Sequence, residues 1–169
     1  MEKKEPILEL RNISKRFGGL KALEGISTSV SPGSVHGIIG PNGAGKSTLF
    51  NIITGLIRPN SGEILFKGGL LGRTPPLRRV PLGMARTFQN IRLFKDMTVE
   101  DNVLIGQHVH TPTPVLSIIS GSRPAIEWEN RAREAAGKCL RKVGLYSKKH
   151  ELARNLSYGQ QKLVEFARA

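Results

Sequence analysis

The sequence predicts an α/β fold built around a glycine-rich loop that joins a strand to a helix. Residues 40–48 read GPNGAGKST and contain the spacing G-x-x-x-x-G-K-[ST], which is typical of loops that hold phosphate groups. Residues 35–39 are short and apolar, as in a buried parallel strand, and residues 49–53 favour a buried helix. Further along, residues 125–143 place apolar side chains at three- and four-residue spacing, which indicates an amphipathic helix.

The loop has the chemistry needed to bind a nucleoside triphosphate. Its glycines permit backbone turns that a Cβ would forbid, so that successive N–H groups can converge on phosphate oxygens. The helix that follows adds unpaired N–H groups and its positive dipole end. We expect Lys46 to reach the β and γ phosphates, Ser47 to bind Mg²⁺, and Thr48 to lie near the α phosphate. The expected binding loop comprises Gly40, Pro41, Asn42, Gly43, Ala44, Gly45, Lys46, Ser47 and Thr48. The alternative is a glycine-rich turn that merely precedes a lysine.

Composition indicates a globular chain and excludes several classes. The 169 residues, with 38% hydrophobic and 23% charged side chains, are enough for one domain with a sizeable core. No apolar run approaches the roughly 18 residues needed to cross a bilayer, and the first residues lack the pattern of a secretory signal. The single Cys139 excludes an internal disulfide, fits a reducing compartment, and is expected to be a core thiol.

The formal net charge of +13 is compatible with nucleic acid, an anionic membrane or polyphosphate. The basic residues are scattered, and no basic run is interleaved with aromatic residues as in a binder of single strands. Basic pairs such as Arg78 and Arg79 are therefore expected to be solvated surface patches. Charge alone selects none of these partners.

The remaining elements are predicted from local patterns. Strands are expected over residues 7–11, 22–30, 63–66 and 84–88. Residues 70–81 are expected to be a loop with one short helix, and residues 111–124 a connection between helices. Thr98 begins a capping-box pattern for a helix that starts at Val99.

The end of the chain predicts one further helix. Ser157 is a good N-cap for a helix that begins just after it. The chain stops inside an apolar pattern, so we expect a truncated domain. If late strands are missing, we also expect marginal stability or aggregation, because the remaining strands would lack partners and cover.

Three separated motifs together resemble the nucleotide-binding subunit of an ABC transporter. They are the phosphate loop, the TFQN segment with Gln89, and the LSYGQ segment over residues 156–160, in which Tyr158 stands where the commonest form has glycine. Phe17 stands where the family places an aromatic ring that stacks on adenine. Residues 85–99, ARTFQNIRLFKDMTV, are similar to the ATPase subunits of branched-chain amino-acid importers.

The resemblance implies a head-to-tail dimer that sandwiches two ATP molecules. Ser157, Gly159 and Gln160 would then bind the nucleotide held by the partner's phosphate loop, and Gln89 would contact Mg²⁺ or the attacking water. The implied domain is an ABC-type nucleotide-binding domain, incomplete at its C-terminus. Its implied parts are a β-rich core with the phosphate loop over 1–90, a helical subdomain over 91–155, and the signature motif with the start of its helix over 156–169.

The resemblance also implies the partners and the activity. We expect a transport ATPase at the cytoplasmic face of the membrane, bound to transmembrane permease subunits and served indirectly by a substrate-binding protein outside the membrane. The Asp, Glu and His that the family places after the signature are not in this sequence, so we expect the 169-residue chain to hydrolyse ATP poorly by itself.

Each motif residue, considered alone, also has a purely structural interpretation. Phe17 could be a plain core aromatic, Gln89 an ordinary polar residue at a strand end, and Ser157 a cap without a ligand. One alternative function is an ABC-type ATPase that acts on nucleic acid or ribosomes, although no nucleic acid is expected, because no long heptad run lies between Gln89 and Leu156. Another is a nucleotide-binding fragment without partner or turnover.

Overall fold

A computed structural model of the protein describes residues 5–107 and 123–169. Its backbone forms two compact units, Met1–Met84 and Ala85–Ala169. The predicted division into 1–90, 91–155 and 156–169 follows sequence motifs rather than contacts, and it stays a prediction.

The first unit is a small antiparallel sheet packed against one helix. Its strands are β1 (Leu8–Phe17), β2 (Leu20–Val30), β3 (Ser61–Phe66) and β4 (Gly69–Leu70), in the order β2-β1-β3-β4. Adjacent strands pair antiparallel throughout. Helix α1 (Lys46–Ile53) buries Leu49, Ile52 and Ile53, and the short helix α2 (Pro76–Arg79) follows the sheet.

The core of this unit lies between the sheet and α1. The strands contribute Leu10, Ile13 and Ile64, which are almost fully buried. Leu10 and Ile13 are three residues apart, a spacing that regular alternation would divide between the two faces. The register shift between them, where Asn12 has a φ of +50°, allows both side chains to be buried. The other core residues come from α1, from β2 and from the residue after β4: Leu49, Ile52, Ile53, Leu23 and Leu71.

The predicted buried strand over residues 35–39 is wrong for this structure. These residues are irregular, and the side chains of Val35 and Ile39 are 100% and 98% exposed. An apolar run becomes a parallel strand only where neighbouring strands accept its backbone hydrogen bonds. Within residues 5–107 and 123–169, no strand runs beside this segment.

A second predicted strand, over residues 84–88, is also absent from the described part of the chain. Residues 84–88 are irregular, and residues 89 and 90 form a bend. The carbonyl oxygen of Phe88 accepts a hydrogen bond from the side chain of Lys162 and not from a sheet ladder. The sequence pattern of short apolar and β-branched residues does not distinguish these two arrangements.

In the part of the second unit that the structure describes, three helices pack into a bundle. They are α3 (Val99–Gln107), α4 (Arg123–Lys142) and α5 (Tyr158–Arg168). Two short 3-10 turns, Tyr146–Lys148 and Ala153–Asn155, connect α4 to α5. The core side chains are aliphatic and come from all three helices and the connection: Val99, Val103, Ala136, Leu140, Leu145, Leu156 and Val164.

The helical predictions for this unit are confirmed where the structure describes them. The apolar stripe of α4 buries Ala132, Ala136 and Leu140, and Cys139 packs half-buried against the same core. The hydroxyl of Thr98 accepts a hydrogen bond from the N–H of Asp101 at 3.1 Å. It also donates to the Asp101 carboxylate at 2.6 Å, which replaces the reciprocal half of the predicted capping box.

Two further expectations can be compared with the described residues only. Of the predicted connection over residues 111–124, residues 111–122 lie outside them, and α4 begins at Arg123. None of the helices in the described ranges is long and apolar enough to cross a membrane.

Candidate functional site

The loop over residues 40–48 leads directly into the N-terminus of α1. Gly43 and Gly45 have φ angles of +87° and +81°, in the left-handed region that glycine adopts without strain. Helix α1 begins at Lys46 with Gly45 as its N-cap, and no side chain of the described residues accepts a hydrogen bond at this cap. The first N–H groups of α1 are therefore open to an external acceptor such as a phosphate oxygen.

Gly45 also joins the loop to the sheet. A Cβ added at this position would lie 2.5 Å from the carbonyl oxygen of Ala22 and 2.7 Å from the Cδ2 of Leu23. Both contacts are shorter than real Cβ atoms make, so the loop approaches β2 more closely than any side chain permits. Gly45 is thus required for its backbone conformation and for its packing.

Lys46 closes the loop over its own backbone. Its Nζ donates hydrogen bonds of 2.6 Å to the carbonyl oxygens of Gly40 and Pro41. An ammonium group held above the start of the helix adds positive charge where the helix dipole is also positive. The loop therefore offers several N–H donors and one cation to the same small volume, an arrangement that favours a multiply charged anion.

Phe17 lies at the end of the sheet that carries this loop. It pairs with Leu20 across the turn between β1 and β2, and β2 meets Gly45 at Ala22 and Leu23. The ring is 46% exposed, and the Nζ of Lys15 lies 5.1 Å from its centroid. The alternative of a plain core aromatic does not describe this ring, because almost half of its surface faces solvent.

Gln89 is exposed in the bend of the second unit. The flanking backbone is held by helix α5: the Nζ of Lys162 donates to the carbonyl oxygen of Phe88, and the N–H of Arg92 donates to the Oε1 of Glu165 at 3.4 Å. Sequence reasoning missed these contacts. They join residues more than seventy positions apart, and no local pattern indicates which charged residues of a helix turn inward.

The LSYGQ segment forms the predicted cap of α5. The Oγ of Ser157 accepts from the N–H of Gln160 at 3.4 Å, and the Oε1 of Gln160 accepts from the N–H of Ser157 at 3.1 Å. This reciprocal pair is a full capping box. The predicted Ser157 cap is confirmed, and the helix start carries the positive dipole end that suits an anion.

Tyr158 occupies a position that does not need glycine. Among the described residues, the non-glycine positions with positive φ are Asn12 and Lys67, so Tyr158 has an ordinary backbone for the first residue of α5. Its side chain is 67% exposed. A Cβ at Gly159 would meet no described atom within 4 Å, which leaves the helix start open.

The predicted site residues therefore form two groups, one in each unit. Phe17 and the loop over residues 40–48 lie at one end of the sheet of the first unit. Gln89 and the segment over residues 157–160 belong to the second unit. Helix α5 contains residues 158–160 of that segment and contacts the backbone on both sides of Gln89. Among the described residues, no group of three or more His, Cys, Asp or Glu side chains could hold a metal ion.

Arg79 is a further residue whose place the sequence did not predict. The expectation of a solvated Arg78–Arg79 surface pair is wrong for Arg79, which is only 4% exposed. Its guanidinium donates to the carbonyl oxygens of Ile53 and Ile52 at 2.6 and 3.2 Å and to that of Thr74 at 2.9 Å. Arg79 thereby caps the C-terminal end of the helix that begins at the phosphate loop.

Comparison with known proteins gives matches to one family. A family model described as ABC transporter matches residues 23–169. The chain is 40% identical over 163 residues to the high-affinity branched-chain amino acid transport ATP-binding protein BraF of Pseudomonas aeruginosa, across 96% of this chain and 64% of that protein. It is 36% identical over 164 residues to the corresponding protein LivG of Escherichia coli K12, across 97% of this chain and 64% of that protein.

A solved structure shows the same fold. A nucleotide-free ATP-binding cassette from an ABC transporter matches with a TM-score of 0.80 and 41% sequence identity, over 97% of this chain and 64% of that chain. This likeness confirms the predicted α/β fold class with its helical part. The present chain thus spans 64% of the length of the two curated relatives.

Proposed function

Because this chain belongs to the ABC transporter family, we propose that it forms the ATP-binding and Mg²⁺-binding part of a subunit that powers the import of branched-chain amino acids. The observation that carries the proposal is the open loop over residues 40–48, in which left-handed glycines, an uncapped helix start and an ammonium group converge. The names of the curated relatives, both branched-chain amino acid transport ATP-binding proteins, support the substrate class.

ATP is the ligand that fits the first unit. The N–H groups at the start of α1 and the Nζ of Lys46 would bind the β and γ phosphates, replacing the carbonyl oxygens that the ammonium now contacts. Phe17 presents an exposed ring at the same end of the sheet, where an adenine base could stack on it. A base and a chain of phosphates are thus both provided for by residues that lie near β2.

Mg²⁺ would bind between the nucleotide and neutral oxygen ligands. Ser47 lies in the first turn of α1 and is exposed, so its hydroxyl would be available to hold a Mg²⁺ ion that accompanies the nucleotide. Gln89 offers an amide oxygen for the ion or for the water that attacks the γ phosphate. Mg²⁺ usually keeps several waters and takes few protein ligands beside phosphate oxygens, which agrees with this sparse set.

We propose that a second ATP-binding subunit, identical or different, completes each nucleotide site. Ser157, Gly159 and Gln160 at the start of α5 would face the γ phosphate held by the partner's Lys46. The support is physical: the helix start is exposed, its dipole favours an anion, and a side chain at Tyr158 leaves the backbone helical. The pairing is head to tail, so that each site combines the phosphate loop of one subunit with the α5 helix start of the other.

The remaining partners follow from the family. The subunit would associate with transmembrane permease subunits at the cytoplasmic face of the membrane, and a substrate-binding protein would deliver the amino acid without contacting this chain. ATP hydrolysis would be an activity of the assembled transporter.

Uptake measurements in cells test the proposed function. A strain that lacks the gene is complemented with the wild-type gene, with Lys46→Ala, or with Lys138→Ala as a control, since Lys138 forms an exposed pair with Glu134. We expect wild type and the control to restore the uptake of labelled leucine, isoleucine and valine, and Lys46→Ala to restore none. Unchanged uptake of all three in the deletion strain would contradict the substrate class.

A further inference from the structure

Helix α5 holds the backbone on both sides of Gln89. Before it, Lys162 donates to the carbonyl oxygen of Phe88. After it, both backbone groups of Arg92 are bound: the N–H donates to Glu165 at 3.4 Å, and the carbonyl oxygen accepts from the Nη2 of Arg168. Side chains of a single helix thus take the place of the sheet hydrogen bonds that a strand would supply here.

The side chains of Lys162, Glu165 and Arg168, here called the clamp, include a buried charge. Glu165 is 2% exposed, and its Oε2 lies 2.9 Å from the Nζ of Lys162. A buried carboxylate is stable only with such a partner and with further hydrogen bonds. Lys162 therefore binds the carbonyl oxygen of Phe88 and also pairs with the charge of Glu165. Burial lowers the pKa of Arg168, and the charge of Glu165 acts against that shift.

The clamp leaves only a short bridge between its two anchors. Residues 89–91 span the distance from Phe88 to Arg92, and the anchoring side chains come from positions on α5 that are about 9 Å apart along the helix axis. The guanidinium groups of Arg86 and Arg92 lie 5.0 and 5.6 Å from the centroid of the Phe88 ring. A three-residue bridge fixed at both ends has little freedom to place Gln89 elsewhere.

We propose that Lys162, Glu165 and Arg168 are positioning residues for Gln89. The inference rests on the proposed function and deepens it. Helix α5 carries Ser157 at its N-terminus, which would meet the nucleotide of the partner subunit, and the same helix fixes the glutamine of its own subunit. Binding of the partner's nucleotide at Ser157 and placement of Gln89 are thereby tied to one rigid element.

Amide hydrogen exchange tests the clamp without any nucleotide. In the 169-residue chain, Lys162→Met removes the hydrogen bond to the carbonyl oxygen of Phe88. Lys162→Arg keeps a donor and a positive charge at this position. Lys138→Met is the matched control, because Lys138 forms a comparable helical ion pair of 2.7 Å with Glu134 that is exposed and remote from the bend.

We expect the amides of residues 89–92 to exchange about tenfold faster or more in Lys162→Met. The rates in Lys162→Arg and in Lys138→Met should stay close to wild type. Exchange at residues 89–92 that does not change in Lys162→Met would overturn the proposal. So would an equal increase throughout α3 and α5, since that result shows general loosening of the bundle.

Affinity for ATP in the presence of Mg²⁺ tests the link to Gln89. Gln89→Ala and Lys162→Met should each weaken binding, and the double variant should bind no more weakly than Gln89→Ala alone, because both changes remove the same contact. Additive losses would contradict a positioning role. If the wild-type chain binds no ATP, the proposed function fails, and the exchange rates still decide whether the clamp exists.

Discussion

The Nη1 of Arg79 lies 2.6 Å from the carbonyl oxygen of Ile53. Ile53 is the last residue of α1, whose C-terminal carbonyl groups have no partner within the helix. The buried guanidinium binds two of them together with the carbonyl of Thr74, and its positive charge opposes the negative end of the helix dipole. Desolvation lowers the pKa of Arg79, but an arginine remains charged at any pH at which the protein is folded.

Replacing Arg79 should therefore destabilise the first unit. Arg79→Met removes the guanidinium from three carbonyl oxygens, of which that of Ile52 keeps the N–H of Gly55 at 3.0 Å. We expect a loss of about 2–4 kcal/mol in the free energy of unfolding. The neighbouring Arg78 is exposed on the same short helix, so Arg78→Met is the matched control and should cost less than about 0.5 kcal/mol. Urea denaturation of both variants checks this, and equal losses would contradict the capping role.

The two left-handed glycines of the phosphate loop should respond differently to alanine. Gly43→Ala meets only backbone strain, because no described atom lies within 4 Å of an added Cβ, and should cost about 1 kcal/mol. Gly45→Ala adds the collision with Ala22 and Leu23 and should cost at least twice as much in thermal denaturation. Equal costs at the two positions would contradict the close contact between the loop and β2.

Asn102 is the polar residue that should matter most to the helical bundle. It is fully buried, and its side chain binds the N–H and the carbonyl of Phe94 at 2.9 Å each and the carbonyl of Thr98 at 3.0 Å. Asn102→Leu removes the acceptor of the Phe94 N–H, whereas the two carbonyl oxygens keep the backbone N–H groups of Met97 and residue 102 at 3.2 and 3.1 Å. We expect a loss of about 1–3 kcal/mol. Asn130→Leu, at an exposed position of α4, is the control, and a similar loss there would show that the substitution itself is harmful.

The N-terminal cap of α5 should contribute less to the free energy of unfolding than Asn102 does. Ser157→Ala removes the hydroxyl that accepts from Gln160, and we expect a loss of about 1 kcal/mol in the free energy of unfolding. Ser147 is exposed inside a 3-10 turn, and Ser147→Ala should change stability by less than half of that amount. Chemical denaturation followed by circular dichroism distinguishes the two, and a neutral Ser157→Ala would contradict the capping box.

Local patterns were enough to predict the parts of the fold that form from local interactions. The stripe of Ala132, Ala136 and Leu140 predicts α4, and Ser157 predicts the start of α5, because periodicity and capping act over a few residues. The glycine spacing of the loop predicts its backbone for the same reason. These features are the ones that the structure confirms.

Long-range contacts account for what the sequence could not predict. Residues 35–39 have the composition of a strand, yet a strand exists only beside a partner, and the described residues supply none. Arg79 looks like any surface arginine until the end of α1 is placed against it. Glu165 reads as a solvated helix residue, and only the fold shows that it is buried against the bend that contains Gln89.

Equilibrium binding of ATP to the chain tests the central claim most directly. Titration calorimetry with ATP and Mg²⁺ is carried out on wild type, on Lys46→Ala and on Lys95→Ala, whose exposed side chain lies outside the loop. We predict that wild type and Lys95→Ala bind with similar affinity and that Lys46→Ala binds at least about tenfold more weakly. Equal affinity in Lys46→Ala, or no binding by the folded wild-type chain, would contradict the account.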